Sequence, residues 1–208
     1  MKKKNIVGRR SDHHLEARTL RCGGDGSVFK GESQVMRSLS SFGSLSDLRI
    51  IDLTQMLAGP FGTMMFSDHG AEVIGIEAPS GDMTRAAGPF REDDTLGLLG
   101  GYFQSIDRNK KSVCLDLKTE SGRAALRALV RDADSIVENY RPGVMERLGL
   151  GYEALREINP RLVSGALSGF GNKRTGKSPY GEWPAFDVVA QAMGGIMALT
   201  GTNGATLI

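Results

Sequence analysis

The stretch from Leu48 to Glu77 constrains the fold more than any other part of the sequence. A β-branched run at Arg49–Leu53 is followed by Gly59-Pro60, where a helix can begin because the missing N–H of proline costs little there. An apolar helix then ends near His69-Gly70, and a second β-branched run reaches Glu77. A strand–helix–strand unit of this kind is the building block of a parallel sheet.

The turn of this unit lacks the glycine patterns of nucleotide-binding loops. The segment from Gln55 to Pro60 contains no Gly-x-Gly-x-x-Gly, and no Gly-Lys-Ser or Gly-Lys-Thr follows it. The start of a helix nevertheless offers free N–H groups that favour an anion. The residues alone therefore predict an α/β domain with a ligand near the carboxyl ends of the strands.

The alternation of strand and helix continues along the chain. Further strands are predicted at Val113–Leu117, Ser135–Asn139 and Leu162–Leu167, and Thr119 is a suitable N-cap for the helix after the first of them. The last predicted helix, from Phe186 to Leu199, has a stripe that we expect to be buried: Phe186, Val189, Ala190, Met193, Ile196 and Met197. In the loop after Glu77, Asp82 and Arg85 are interpreted either as a functional pair or as a local surface ion pair.

The basic balance of the 208-residue chain, a net charge of +2, lies in its N-terminal part. Residues 1–46 contain nine Lys and Arg against four Asp and Glu, a net of +5, so the remainder carries −3. A mildly acidic folded part gives no basic surface for nucleic acid, and we expect no nucleic-acid partner. Residues 1–46 also lack a helical or strand period, so we predict a disordered extension over 1–45 and a domain over 46–208.

The extension carries several signals that we weighed separately. His13-His14 has no third ligand nearby, so no metal is expected. Met36 is our preferred natural start, and a transit peptide is disfavoured by the four acids. The two cysteines, Cys22 and Cys114, lie far apart, which favours a reducing compartment. No apolar run approaches 18 residues, so we expect no membrane partner. We predict a cytoplasmic protein, or a mitochondrial one if residues 1–45 are a transit peptide.

Several motifs in order then resemble the family III CoA-transferases, the formyl-CoA and carnitine CoA-transferase group. They extend from Ser46 to roughly Gly201 and read LRIIDLTQMLAGP, GAEVIGIEAPSGDMTR, DRNKKSVCLDLKT, VENYRPGVMERLGLGYE, NPRLVSGALSGFG and FDVVAQAMGG. The resemblance implies a Rossmann-like N-terminal α/β domain with a parallel sheet, truncated here before a smaller second domain. It also implies that the full-length protein is a homodimer of two interlocked ring-shaped chains.

The resemblance further implies that coenzyme A lies across the carboxyl ends of the strands. The matching CoA-contacting positions are Leu57, Ala58, Leu115, Lys118, Asn139, Tyr140 and Arg147. Lys118 and Arg147 can pair with phosphates and Tyr140 can lie against adenine, although solvated charges and a core aromatic are the alternative interpretations. Gly75 departs from the Lys that family members usually have, and Ala78 from a basic residue that some have.

The activity that the resemblance implies is transfer of CoA from an acyl-CoA donor to a small carboxylic acid, without a metal. The family's nucleophile is an aspartate in a motif shortly after Thr200-Gly201, and this chain ends before reaching it. We therefore name no catalytic residue, interpret Asp187 as structural, and expect an inactive fragment. The alternatives are a non-catalytic CoA-binding remnant and an α-methylacyl-CoA racemase, which typically has His-Asp where Phe186-Asp187 stands here.

Overall fold

The computed structural model describes residues 43–171, 176, 178–181 and 183–201. The predictions for Cys22, His13-His14, Met36 and most of the N-terminal extension lie outside these residues. The same holds for parts of the loop before residue 183 and for residues 202–208.

The described residues form one five-stranded sheet in which every neighbouring pair of strands is parallel. The strands follow the order β3-β2-β1-β4-β5. Their bounds are β1 Arg49–Asp52, β2 Glu72–Glu77, β3 Lys111–Cys114, β4 Ser135–Glu138 and β5 Val163–Ala166. The predicted parallel α/β sheet is confirmed, and the order reverses direction between β1 and β4.

Seven α-helices and one 3-10 helix are assigned among the described residues. They are α1 Ala58–Asp68, the 3-10 helix Met83–Ala86, α2 Gly101–Ile106, α3 Glu120–Val130, α4 Val144–Arg147, α5 Tyr152–Ile158, α6 Asp187–Met193 and α7 Ile196–Thr200. Thr119 caps α3 as predicted, since its hydroxyl accepts a hydrogen bond from the Gly122 amide at 3.1 Å. None of these described helices has the length and hydropathy needed to cross a bilayer.

The two faces of the sheet differ in character. The face that carries Ile51 and Ile136 packs on α3 and α5 through fully buried side chains, notably Leu126 and Leu155. The other face, on which Ile50 begins a smaller apolar cluster, is covered by α1 and becomes polar toward the carboxyl ends of the strands. The larger hydrophobic core thus lies on the α3 and α5 side of the sheet, and the buried polar groups Asp52, Thr54, Thr63 and Ser67 lie on the α1 side.

Strand β3 lies earlier in the sequence than predicted. We expected Val113–Leu117, but the ladder with β2 covers Lys111–Cys114 and closes with the hydrogen bond from the Leu115 amide to the Glu77 carbonyl. Beyond that point the carbonyl of Asp116 accepts from Thr119, so the chain turns into the cap of α3 and can no longer pair as a strand.

The prediction of a single buried helix over Phe186–Leu199 is wrong in two respects. Gly195 has a left-handed φ of 78° and separates α6 from α7, so the expected stripe is not continuous. Phe186 and Ile196 are 63% and 50% exposed, and Ala190 and Met193 are exposed as well. The break leaves two short helices, and α6 and α7 pack mainly against each other.

Candidate functional site

At the carboxyl edge of the sheet the strand order reverses between β1 and β4, and we call the place where the loops after these two strands meet the crevice. The two loops that border it are joined by a reciprocal pair of hydrogen bonds. The Gln55 amide donates to Asn139 Oδ1 at 2.9 Å, and Asn139 Nδ2 donates to the Gln55 carbonyl at 2.7 Å. Open α/β sheets bind ligands at such reversal points, because the connections on either side leave in opposite directions.

The chain between this hydrogen-bonded pair and α1 has an unusual backbone. Met56 has a φ of 69°, a left-handed conformation that costs a non-glycine residue on the order of 1 kcal/mol. Leu57 is 51% exposed, and Ala58 is exposed beside it. The amides of Leu57, Ala58 and Gly59 donate to no protein group in the described part of the chain, so three N–H groups at a helix start are free for a ligand.

The first turn of α1 approaches the end of β1 so closely that Gly59 has no room for a side chain. An added Cβ would lie 2.3 Å from the Cβ of Thr54 and 2.5 Å from its Cγ2. Pro60 follows and is buried, as expected for proline at the start of a helix. The position of the free amides is therefore fixed by contact with β1.

Asp52, the last residue of β1, is buried and is surrounded by hydrogen-bond donors. Its Oδ1 accepts from the amide of Thr54 at 2.9 Å and from its hydroxyl at 2.5 Å. Its Oδ2 accepts from the Thr63 hydroxyl of α1 at 2.5 Å and from Lys110 Nζ at 3.1 Å. A buried carboxylate is tolerated only with such partners.

Lys110 is a buried cation that sequence reasoning missed. Its side chain is 4% exposed, and Nζ donates to Asp52 Oδ2, to Asp107 Oδ1 at 2.8 Å and to the Pro60 carbonyl at 2.9 Å. The sequence signal is DRNKKS, which the motif DRNKKSVCLDLKT contains but to which we assigned no site residue. Two adjacent lysines in a turn give no indication which of them points inward.

The seven predicted CoA-contacting residues all lie toward the carboxyl edge of the sheet. Leu57, Ala58, Asn139 and Tyr140 border the crevice, as their positions directly after β1 and β4 require. Leu115 and Lys118 follow β3, about 10 Å away by the spacing of two intervening strand pairs. Arg147 ends α4 and, like Lys118, is exposed. The structure thus brings four of the seven together and leaves three around them.

The β4 side of the crevice carries two groups whose titration is perturbed. Burial raises the pKa of Glu138, and the charge of Glu146 adds to this, although the Tyr140 amide donates to the carboxylate at 2.7 Å. Burial also raises the pKa of the Tyr140 phenol, with smaller contributions from Glu138 and Asp52. Tyr140 packs against the main core, so its ring is partly a core aromatic.

A separate cavity of 240 Å³ lies on the α1 and α2 side of the sheet. Arg85 lines it and donates to Glu77 through Nε at 2.6 Å and Nη2 at 2.5 Å, with the Phe103 ring 3.8 Å from its guanidinium carbon. The interpretation of Asp82 and Arg85 as a local surface ion pair is therefore wrong, because Asp82 instead caps the 3-10 helix by accepting a hydrogen bond from the Thr84 amide. Burial would raise the pKa of Glu77, but Arg85 and the other donors lower it.

None of the seven predicted residues lines this cavity, whereas Asp52 and Thr54 at the end of β1 and Lys110 do. Gly75 forms part of its wall, where an added Cβ would meet only the Lys111 carbonyl at 3.5 Å. Asp107 lines it too, and burial raises the pKa of its carboxyl. Its Oδ2 is buried and has no hydrogen-bond partner among the described residues. No group of His, Cys, Asp and Glu side chains suited to a metal ion occurs among residues 43–201 as described.

Comparison with known proteins adds independent information. The family model for CoA-transferase family III matches residues 45–207. Succinyl-CoA:mesaconate CoA-transferase of Haloarcula hispanica is 49% identical over 161 residues, 77% of this chain and 41% of the relative. Acetyl-CoA:oxalate CoA-transferase of Acetobacter aceti is 49% identical over 160 residues, with coverage of 76% and 39%. Human succinyl-CoA:glutarate CoA-transferase is 38% identical over 180 residues, with coverage of 86% and 39%.

Solved structures agree with the sequence matches. A CAIB/BAIF family protein from Brucella suis superposes with a TM-score of 0.73 at 39% identity, over 80% of this chain and 43% of that one. The chain thus spans about two fifths of the length of the curated relatives it matches. Because the family model covers most of the sequence and the fold agrees, the chain belongs to CoA-transferase family III.

Proposed function

We propose that this chain supplies the CoA-binding part of an enzyme that moves CoA from an acyl-CoA donor to a small carboxylic acid. Family membership supports the reaction class, and the relatives are named as CoA-transferases. The names of the three relatives described above pair an acyl-CoA with mesaconate, oxalate or glutarate. All three acids are dicarboxylates, so we propose a small dicarboxylic acid as the acceptor.

The observation that carries the proposal is the crevice between β1 and β4. Its loops are joined by the Gln55–Asn139 hydrogen bonds, and the free amides of Leu57, Ala58 and Gly59 lie at the adjoining helix start. Oriented N–H groups at the start of a helix stabilise anionic oxygens without any side chain. This is the chemistry required to hold the phosphates or the thioester oxygen of an acyl-CoA.

Two exposed cations toward the carboxyl edge of the sheet support a phosphorylated ligand. Lys118 and Arg147 are exposed, and we assign them to the phosphates of CoA. We assign Tyr140 to the adenine and Leu115, beside Lys118, to the rest of the contact surface. We assign no nucleophile to the described residues, and we expect the 208-residue chain to bind CoA without transferring it.

We also propose that the full-length protein is a homodimer. The apolar side chains on α6 and α7 support this assembly, because Phe186, Val188, Ile196 and Leu199 are all at least half exposed in the single chain. Exposed apolar surface of this kind is uncommon on monomers and is usual where another chain or domain packs.

A thermal-shift experiment on the 208-residue chain tests the proposed CoA site. The wild type is compared with Lys118→Ala/Arg147→Ala and with Arg131→Ala/Arg156→Ala, a control that removes the same charge from exposed positions away from the crevice. CoA at 100 times its dissociation constant stabilises a folded state by about 2.7 kcal/mol, which raises the midpoint by roughly 5–11 °C for a chain of this size.

We expect that rise in the wild type and in the control pair, and a much smaller rise in the Lys118→Ala/Arg147→Ala protein. A wild type that unfolds cooperatively without any CoA-dependent shift would contradict the proposal. Equal shifts in all three proteins would contradict the assignment of Lys118 and Arg147, because CoA would then bind elsewhere.

A further inference from the structure

Lys110 ties together three elements that meet behind the crevice. Its ammonium donates to Asp52 at the end of β1, to the Pro60 carbonyl in the first turn of α1, and to Asp107, the residue that caps the end of α2. A lysine ammonium has three hydrogens, so all its donors are used within the protein. The Lys110 side chain is 4% exposed and lines the 240 Å³ cavity, so we expect it to act on a ligand in the crevice through the groups that it holds.

The group that Lys110 holds most directly is the start of α1. Pro60 is the residue after Gly59, so a shift of its carbonyl moves the free amides that we assign to CoA binding. The same turn is held from the other side by Thr63, whose hydroxyl donates to the Asp52 oxygen that also accepts from Lys110. Asp52 and Lys110 together thus fix the direction in which the free amides point.

We propose that Lys110 is a positioning residue for the CoA-binding turn formed by Met56, Leu57, Ala58 and Gly59. The cation keeps the Asp52 carboxylate and the Pro60 carbonyl in place, and the turn is thereby pre-organised before the ligand arrives. This inference rests on the proposed function, because it gives a role to a residue that supports the same crevice. A turn held in one conformation binds more tightly, because less of the binding free energy is spent on ordering it.

The neighbouring Lys111 provides a matched control. Its side chain is 45% exposed and pairs with Glu72 at the amino end of β2, on the far side of the sheet from the CoA-binding turn. Lys111→Met removes the same charge, one residue away in the sequence, without touching Asp52 or α1. Any difference between Lys110→Met and Lys111→Met therefore reports on the position of the ammonium rather than on net charge.

The test combines calorimetric titration with CoA and amide spectra of the ligand-free proteins. Lys110→Met is expected to weaken CoA binding about tenfold, as it would if the binding conformation of the turn fell to one tenth of its population. Lys110→Arg retains a cation that reaches the same acceptors and is expected to restore most of the affinity. Lys111→Met is expected to bind like the wild type.

The amide resonance of Gly59 gives a readout that loss of stability alone would not move. We expect it to shift in ligand-free Lys110→Met and to stay in place in Lys111→Met, with Gly62 in the next turn of α1 as an internal reference. Removing one partner of a buried ion pair can prevent folding. Asp52→Asn/Lys110→Met removes both charges together, and we expect this folded double variant to bind CoA as weakly as Lys110→Met.

The possible outcomes separate the two proposals. If the folded wild type does not bind CoA, the proposed function fails, while the Gly59 resonance still tests whether Lys110 positions the turn. If a folded Lys110→Met or Asp52→Asn/Lys110→Met protein binds CoA like the wild type with an unmoved Gly59 resonance, the positioning role is overturned. Weakened binding with a shifted resonance, restored by Lys110→Arg, supports it.

Discussion

Two glycines in α1 differ in their surroundings, and the effect of adding a methyl group to each follows directly from the structure. At Gly59 an added Cβ would lie 2.3–2.6 Å from three side-chain atoms of Thr54. At Gly62, one turn later in the helix, an added Cβ would meet nothing within 4 Å. The same substitution to alanine therefore tests the close approach of the helix start to β1, with an internal control.

The two substitutions are expected to change the stability of the protein in opposite directions. Gly62→Ala gains the helix propensity of alanine, up to about 1 kcal/mol, and the protein becomes more stable. Gly59→Ala forces an overlap that Thr54 cannot relieve easily, because its side chain is buried and hydrogen-bonded to Asp52. Overpacking of this kind costs about 1–3 kcal/mol, and a position in the first turn of the helix recovers little of it.

Urea unfolding followed by circular dichroism measures both variants against the wild type, and CoA titration follows for each folded protein. We expect Gly59→Ala to lower the free energy of unfolding and to weaken CoA binding. Gly62→Ala should raise the free energy of unfolding and leave CoA binding unchanged. If Gly59→Ala were as stable as Gly62→Ala, the close contact with Thr54 would be refuted as the constraint on the helix start.

Three further variants test the charges and hydrogen bonds near the carboxyl edge of the sheet. Glu77→Gln leaves the Arg85 guanidinium without its carboxylate and should cost about 3 kcal/mol at neutral pH. The pKa of Glu77 is lowered in the fold, so the wild type is more stable than Glu77→Gln at any pH above 4.5, the ordinary pKa of Glu. This stability difference is lost as the pH falls through the lowered pKa, so the free energies of unfolding of the two proteins should converge between pH 7 and pH 3. Glu138→Gln should stabilise the protein at pH 7, because the raised pKa of Glu138 shows that the ionised carboxylate is unfavourable in the fold. The gain in stability should vanish below pH 4.5, and a loss of stability at pH 7 would contradict this reasoning. Asn139→Ala removes both hydrogen bonds to Gln55 and should destabilise by about 1–3 kcal/mol in urea unfolding, whereas an unchanged midpoint would show that the two loops are held by other contacts.

The sequence was sufficient for most of the fold because its signals are local. The β-branched runs that became β1, β2 and β4 were located to within a residue or two, and the Thr119 cap was identified from its neighbours. The helix over Phe186–Leu199 was mispredicted because apolar periodicity does not reveal a left-handed glycine, nor which surface covers an apolar stripe. Both depend on the conformation of the chain in three dimensions.

The site was predicted less completely, for a related reason. The carboxyl edge of the sheet and the turn before α1 follow from the strand–helix–strand pattern. The partner of Arg85 and the burial of Lys110 do not, because Glu77 lies eight residues from Arg85 and Asp52 lies 58 residues from Lys110 in sequence. The first contact depends on how the loop after β2 folds back on the strand, and the second depends on the sheet order, in which only β2 separates β3 from β1.

The most direct test of the CoA site is hydrogen exchange of the backbone amides of the 208-residue chain with and without CoA. We predict slower exchange at Leu57, Ala58 and Gly59 and in the loop that follows β4, because CoA would occupy the crevice and engage those amides. Protection confined to the cavity lined by Phe103 and Asp107, or no change in a folded chain at saturating CoA, would contradict the assignment of the crevice as the CoA site.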